Sequence, residues 1–386
     1  MKNSKSFLLV LLGILAAFGP FVTDMYLPGL PTMTDYFNTT ASMVQLGITT
    51  AMLGLGVGQL LVGPLSDKYG RKLPLMYSLW LFIFSTVACI FSWNIGAFIC
   101  FRFLQGIAGA GGIVISRSVA TDCYAGKELA KAFAMISAVN GLAPILAPVG
   151  GGVLLKFTSW LGIFVFLLVL GCILLLLCLR LKESLPVERR ITVPVFSSFR
   201  TFIPLLKKRI FMGYVLIQSF VFGMIFAYIS SSPFILQEHY RLSPLGYSLC
   251  FAVNAVALIL GTTFAGRFKS VRRGMICGVV GAFLLSVFTG LTLWYEMPII
   301  CFEVALFLNL IFGGLVLPTS TALALDTERQ NAGTASAIFG AVSFLAGGIV
   351  SPLVGLGNIL QTTAIIMVVC SGIALLLIRK RPQTTV

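Results

Sequence analysis

The chain has few of the residue types that enzymes and metal proteins use for chemistry. Its 386 residues include a single histidine, His239, and only 12 aspartates and glutamates. A metal site built on histidine is therefore excluded, and the scattered acids do not predict the clustered acids and bases of an active site. Nine cysteines are present, but no C-x-x-C pair occurs and eight of the nine lie in apolar stretches. We interpret them as small buried hydrophobic residues.

Charge of either sign is also scarce, because Asp, Glu, Lys and Arg make up 10% of the chain, whereas hydrophobic residues make up 58%. Soluble domains have about 45–50% apolar residues. The apolar residues here fall in runs of about 18 or more, the length that a helix needs to cross a bilayer core of about 30 Å. Only helices satisfy their own backbone hydrogen bonds in lipid, so the composition predicts an all-α integral membrane protein.

Twelve apolar segments are predicted to be transmembrane helices. Those of the first half cover residues 7–30, 43–65, 73–92, 95–117, 131–155 and 159–180. Those of the second half cover residues 211–236, 245–266, 273–294, 297–320, 331–356 and 360–379.

The chain is predicted to consist of two pseudo-symmetric six-helix bundles, residues 1–182 and 210–386, joined by a cytoplasmic linker, residues 183–209. Asp122 follows the fourth predicted helix and Asp326 the tenth, and each is followed 26 residues later by a proline. Parallel repeats of six helices are typical of transporters, in which the substrate binds between the halves.

The net charge of +15 would suggest a nucleic-acid partner in a soluble protein. Here the basic residues cluster between the apolar segments instead. With the N-terminus inside, the cytoplasmic segments hold 24 of the 27 Lys and Arg, while the outside holds only Lys156 and Arg241. The positive-inside rule therefore predicts that both termini are cytoplasmic, and we expect no nucleic-acid partner.

The stretch Gly63–Lys72 combines charge and glycine between two predicted helices. It fits the pattern G-x-x-x-D-[RK]-x-G-R-[RK], with specified positions at Gly63, Asp67, Gly70 and Arg71. We expect Gly63 to allow close helix contact and Gly70 a tight turn. Asp67 is expected to cap a helix N-terminus across the interface of the two bundles, where the dipole is positive, and so to act as a latch that holds the inner face closed. The second half has Ala265 where the acid would stand, so the latch would be one-sided.

Three charged residues lie inside predicted helices and away from the helix ends, where a charge costs at least about 2.5–3.5 kcal/mol. Arg102 begins the pattern R-x-x-Q-G-x-x-x-A, and Asp24 is its expected partner. A carboxylate held between burial and a guanidinium can take up and release a proton. The alternatives are a snorkelling Arg102 and an interfacial Asp24. Glu303 is interpreted as a second proton or cation-substrate site, or as an outer-rim residue.

The fifth predicted helix carries regularly spaced small residues. They fill the pattern G-x8-G-x3-G-P-x-x-G-G, with alanine replacing three glycines, at Ala134, Ala143, Ala147, Pro148, Gly151 and Gly152. We expect Pro148, Gly151 and Gly152 to take part in gating, and helix packing by small residues is the alternative.

Several aromatic and amide side chains within predicted helices are candidates for lining a substrate cavity. They are Tyr26, Asn140, Gln218, Phe222, Tyr228, Phe251 and Asn254. Packing inside the bundles is the alternative for each of them.

These motifs resemble those of the major facilitator superfamily, and the resemblance covers nearly the whole chain. Within that superfamily the chain is similar to drug:proton antiporters of the bicyclomycin/chloramphenicol-resistance type (Bcr/CflA). Further matching stretches are Asp24–Pro28, Arg102–Ala110, Leu142–Pro148 and Ser231–Phe234.

The resemblance implies twelve transmembrane helices and export of small, largely apolar drugs or metabolites by alternating access, in exchange for protons. It implies proton coupling for Asp24 and Arg102, and a helix 5 pattern that separates exporters from importers. It further implies a monomer in the bacterial inner membrane, bound to no cofactor and driven by the proton gradient. An enzyme is not expected, and a proton-linked importer of a small nutrient is the alternative.

Overall fold

The computed structural model describes residues 4–124, 126–190, 202–328 and 332–379. The structure is 86% helix, and no strand occurs in these residues. In the first half the helices are α1 (Lys5–Asp24), α2 (Leu30–Tyr36), α3 (Ala41–Tyr69), α4 (Lys72–Ile90), α5 (Ile95–Cys123), α6 (Gly126–Leu154) and α7 (Trp160–Leu179). In the second half they are α8 (Phe202–Leu206), α9 (Arg209–Phe234), α10 (Pro244–Phe264), α11 (Val271–Trp294), α12 (Ile299–Asp326), α13 (Ala332–Leu353) and α14 (Ile359–Arg379).

The predicted all-α class of long apolar helices is confirmed. Eleven helical segments of the described residues are long and apolar enough to cross a membrane. The helix α6 is also long, with 29 residues, and its described apolar part covers Gly141–Leu154. It corresponds to the fifth predicted transmembrane helix.

The predicted first helix, residues 7–30, does not run unbroken. The helix α1 ends at Asp24, a 3₁₀ turn follows at Leu27–Gly29, and α2 continues the segment to Tyr36. The cause is Pro28, because a proline has no N–H and its ring clashes with the carbonyl four residues earlier, which is that of Asp24. The chain therefore bends at the very residue that was predicted to carry the proton.

The stretch Gly63–Lys72 was predicted to be a turn, but most of it is helical. The helix α3 continues to Tyr69, and only Gly70 and Arg71 separate it from α4. At about 1.5 Å per residue its 29 residues span roughly 43 Å, so the helix extends beyond a bilayer core of about 30 Å. For the same reason Asp122 lies in the last turn of α5, not in a loop, and Asp326 ends α12.

The described residues form two compact units. One contains α1, α2, α3 from Leu46 onward, and α4 to α7. The other contains α8 to α14 together with Thr40–Gln45. The linker contributes a 3₁₀ turn at Val187–Arg189 and the short helix α8, and residues 191–201 lie outside the described residues.

The internal repeat is visible in buried hydrogen bonds. Gln105 on α5 donates to the Thr86 hydroxyl on α4 over 2.7 Å. Asn309, which lies 204 positions later on α12, donates to the Ser286 hydroxyl on α11 over 2.9 Å. Each unit thus uses an amide at the same repeat position to tie two helices together. The charge is not repeated, since Leu306 stands 204 positions after Arg102.

Candidate functional site

Arg102 is the largest side chain that is fully buried in the described structure. It lies on α5, whose first turn is fixed by Asn94, since the Asn94 side chain accepts a hydrogen bond from the Ala97 N–H. One Arg102 Nη1–H donates to Gln105 Oε1, and Nη2 donates to the Val22 carbonyl over 3.0 Å. Arg102 therefore does not snorkel to an interface. It binds backbone of α1 in the interior of the first unit.

The guanidinium of Arg102 also lies near two aromatic rings. The guanidinium carbon lies 4.3 Å from the centre of the Tyr26 ring and 5.8 Å from that of Phe164. Tyr26 is itself fully buried and meets Phe164 edge to face. A cation over a desolvated ring gains about 2 kcal/mol, which helps offset the burial of the charge. Tyr26 is thus a positioning partner of Arg102 in this structure.

Asp24 lies between two contacts of Arg102 but is not ion-paired with it. Arg102 touches Val22, two residues before Asp24, and Tyr26, two residues after it. Asp24 is 8% exposed, and among the described residues no Lys, Arg or His nitrogen lies within 4.0 Å of its carboxylate. Asp24 and Arg102 thus form no ion pair in this structure, and their predicted partnership in proton coupling stays a prediction. Arg102 attracts Asp24 electrostatically, but its hydrogen bonds go to Gln105 and to the Val22 carbonyl.

Gln105 is a residue that the sequence interpretation overlooked as a partner. It lies three positions after Arg102, so both side chains project from the same face of α5. The Gln105 side-chain oxygen accepts a hydrogen bond from Arg102, and its side-chain N–H donates to the Thr86 hydroxyl. The Thr86 hydroxyl in turn donates to the Phe82 carbonyl over 2.6 Å. This chain fixes the orientation of the guanidinium. The R-x-x-Q spacing could have shown the contact.

The helix α6 meets the bend after α1 at Gly151. A Cβ at this position would overlap the Met25 carbonyl oxygen and lie 3.3 Å from Pro28 Cγ. Gly151, Gly152 and Pro148 are buried, while the nearby Pro144, which also lies inside α6, is half-buried. The side chains of Ala134 and Asn140 lie outside the described residues. One glycine of the motif therefore supports the segment that carries Asp24 and Tyr26, while the gating role of the motif stays a prediction.

The loop between α3 and α4 has the turn predicted for Gly70 but not the contact predicted for Gly63. Gly70 has φ +91°, a left-handed conformation that favours glycine. A Cβ at Gly63 would meet nothing within 4 Å among the described residues, so no close helix contact is seen there and the predicted role of Gly63 stays a prediction. The close approach of α3 to α5 occurs earlier, where a Cβ at Gly54 would overlap the Phe103 carbonyl.

Arg71 is a buried residue at the centre of an ion network whose acidic members are partly exposed. Its Nη1 binds Asp67 and the Ser66 hydroxyl, and its Nε binds Asp122 over 2.8 Å. Burial disfavours the charge, but the ion pairs with Asp122 and Asp67 hold the pKa of Arg71 above its ordinary value. Within the first unit Asp67 is thus an ion-pair partner of Arg71, and its latch role stays a prediction.

Within the first unit, Glu183 is the carboxylate that caps the helix after this loop. Its oxygens accept from the backbone N–H groups of Arg71, over 2.8 Å, and Lys72, over 3.1 Å, at the start of α4. A negative group is stabilising at this end of a helix. Ser184, the next residue, donates to Asp122 over 2.9 Å. No sequence signal pointed to Glu183, because it lies more than one hundred residues after the loop.

A second polar cluster lies in the other unit and joins residues that were predicted separately. Asn254 on α10 donates through Nδ2 to Glu303 Oε2 on α12 over 2.8 Å and to the Tyr228 hydroxyl on α9 over 3.1 Å. The Tyr228 ring stacks on Phe251 at 5.9 Å between centres. Asn254 is fully buried, and Glu303 is partly buried. Glu303 is therefore held inside the helix bundle by hydrogen bonding.

The remaining cavity candidates of this unit lie elsewhere. Gln218 is buried, with Oε1 2.7 Å from the Ser320 hydroxyl and 3.1 Å from that of Thr321. Phe222 packs on Phe226 and Phe344. The structure gives both residues packing partners and leaves their predicted contact with substrate as a prediction. Within the described residues no group of three His, Cys, Asp or Glu could hold a metal ion.

Comparison with known proteins decides the family. The sequence model of the Major Facilitator Superfamily matches residues 11–352 of the chain. The chain belongs to the major facilitator superfamily. It is 40% identical to the uncharacterized MFS-type transporter YdgK of Bacillus subtilis, over 92% of this chain and 90% of the relative.

Other relatives within the superfamily have names that refer to drug resistance. The bicyclomycin resistance protein homolog of Haemophilus influenzae is 29% identical, over 92% of this chain and 90% of the relative. The chloramphenicol resistance protein of Pseudomonas aeruginosa is 28% identical, over 86% of this chain and 78% of the relative. The predicted resemblance to the drug:proton antiporter type of the superfamily is confirmed.

Solved structures agree on the fold. A bacterial homolog of the human lysosomal transporter Spinster aligns with a TM-score of 0.76 and 18% identity, over 98% of both chains. At this identity the likeness concerns the fold alone. The protein is a multi-pass membrane transporter of small molecules and not an enzyme.

Proposed function

We propose that this major facilitator protein exports small, largely apolar drugs or metabolites across the bacterial inner membrane in exchange for protons. Both termini would lie in the cytoplasm, as the distribution of Lys and Arg predicts. The names of the bicyclomycin- and chloramphenicol-resistance relatives support the substrate class and the direction of transport. The protein would work as a monomer, with the proton gradient as its energy source.

The observation that carries this proposal is the position of Asp24. It is a buried carboxylate at a proline-induced bend, between the Val22 and Tyr26 contacts of a fully buried arginine. In our proposal Asp24 holds either a proton or part of the substrate site, and Arg102 adjusts its charge. Alternating access by the two repeats would expose the residue to each side in turn. Asp67 would favour the state that is closed to the cytoplasm.

Drug susceptibility of an efflux-deficient bacterium tests the export function. Cells that express the wild-type chain are expected to tolerate several-fold more bicyclomycin or chloramphenicol than cells with an empty vector. Asp24→Asn is expected to abolish the protection, because an amide cannot take up and release the proton. The matched control is Asp35→Asn, the same change at an exposed residue of α2, and should protect like wild type.

Protein levels in the membrane are compared by immunoblot so that poor expression is recognised. Full protection by Asp24→Asn at equal expression would contradict the role of Asp24. Cells made more sensitive by the wild-type chain would instead indicate import.

A further inference from the structure

The cluster around Glu303 has no part in the transport scheme based on Asp24, yet it has the features of a binding site. Glu303 is the fifth residue of α12, about 6 Å along the helix from its first residue. No Lys, Arg or His nitrogen of the described residues lies within 4.0 Å of its carboxylate. An uncompensated carboxylate in a membrane bundle is costly and is a functional candidate by default.

The hydrogen bonds of Asn254 define what the cluster lacks. Both N–H groups of its amide are used, one on Glu303 Oε2 and one on the Tyr228 hydroxyl. Rotating the amide would place its own oxygen against the Glu303 carboxylate, so this orientation is fixed by charge. Two buried acceptors, Glu303 Oε1 and Asn254 Oδ1, then have no donor in the described part of the chain. The missing group is a donor.

Aromatic rings next to these oxygens indicate the charge of that donor. Tyr228, whose hydroxyl belongs to the cluster, is 2% exposed, and its ring is stacked on Phe251 with an angle of 19° between the planes. The faces of such rings attract cations. A Ca²⁺ ion takes six to eight oxygen ligands, more than the cluster offers. The chemistry fits an organic monocation better than a metal ion.

We propose that Glu303, Asn254 and Tyr228 form a binding site for the protonated amine of a substrate. The ammonium N–H groups would donate to Glu303 Oε1 and Asn254 Oδ1, and the apolar part would lie against the two rings. This site makes the transporter prefer amine-bearing substrates over neutral analogues. That the bound amine is a transported substrate rests on the proposed function. The binding site itself does not, because equilibrium binding requires no proton exchange.

Direct binding to the full chain in lipid nanodiscs tests the site with three matched fluorescent probes. Dansylcadaverine carries a primary ammonium, its N-acetyl derivative is neutral, and its trimethylammonium derivative keeps the charge without N–H donors. Wild type is expected to bind the primary ammonium at least ten-fold more tightly than either derivative. Glu303→Gln is expected to bind the primary ammonium and the acetyl probe within two-fold of each other.

The control is Glu296→Gln, the same change at an exposed turn before α12, and should keep the wild-type preference. Equal binding of all three probes by wild type would overturn the site even if a variant failed to fold. An undiminished preference in folded Glu303→Gln would overturn it too. Equal binding of the primary and trimethyl probes alone would overturn the hydrogen-bonded geometry. If the wild-type chain showed no substrate-dependent proton exchange but still preferred the primary ammonium probe, the proposed function would be refuted and the binding site would be retained.

Discussion

At the residue scale, Arg102 organises the first unit. It holds Val22 by a hydrogen bond and Tyr26 by its guanidinium face, so it keeps the backbone on both sides of Asp24 in place. Such an arrangement needs a planar cation with several donors, which arginine supplies and lysine does not. The R-x-x-Q pattern predicted a functional arginine here. It did not predict that the hydrogen-bonded partners are an amide and a carbonyl instead of Asp24.

Arg102→Lys is expected to destabilise the protein although the charge is conserved. Lysine carries its donors on one compact ammonium and does not reproduce the planar fork that reaches both acceptors, and a buried unsatisfied polar group costs about 1–3 kcal/mol. We expect a lower thermal unfolding midpoint in detergent and a loss of drug resistance. Arg267→Lys is the control, since Arg267 also lies over a ring, that of Phe264, but at an exposed position. Equal midpoints for the two variants would contradict a structural role for the guanidinium.

At the element scale, α6 supports the bend after α1 through a single glycine. Gly151 lets its helix approach the Met25 carbonyl directly, next to Asp24. The pattern of small residues in the fifth predicted helix thus has a packing role in the first unit, which is the alternative weighed for it. The packing places the motif against the segment that carries the proton in our proposal, so the two roles are compatible.

Gly151→Ala is expected to impair transport through this contact. The added methyl group overlaps main chain that cannot rotate away, and overpacking of this kind costs about 1–3 kcal/mol. Gly141→Ala adds the same methyl group to the same helix at a position where none of the described atoms lies within 4 Å. We expect lower drug resistance and a lower unfolding midpoint for Gly151→Ala only. Wild-type drug resistance and a wild-type unfolding midpoint for Gly151→Ala would contradict the role of this contact.

At the scale of the whole molecule, the sequence predicted what depends on local pattern. Apolar length predicted the helices, and the spacing Asp122–Pro148 and Asp326–Pro352 predicted the repeat. The end of α1 was also predictable, because Pro28 cannot continue the helix beyond Asp24. The contacts of Asn254 with Glu303 and of Glu183 with α4 were not predictable, because they depend on which faces of distant helices meet. Uniformly apolar helices do not reveal those faces.

The two units also differ in a way that the repeat conceals. The first buries an arginine beside Asp24, while the corresponding position of the second is Leu306. The second instead holds the unpaired carboxylate of Glu303. We expect the first unit to carry the proton chemistry and the second to contribute to substrate selection.

Proton movement in proteoliposomes tests the central claim most directly. The purified chain is reconstituted with a pH-sensitive dye inside the vesicles, a proton gradient is imposed, and bicyclomycin or chloramphenicol is added. Our account predicts substrate-dependent proton flux for wild type and for Asp35→Asn, and none for Asp24→Asn. Substrate-driven proton flux through Asp24→Asn at the wild-type rate would contradict it.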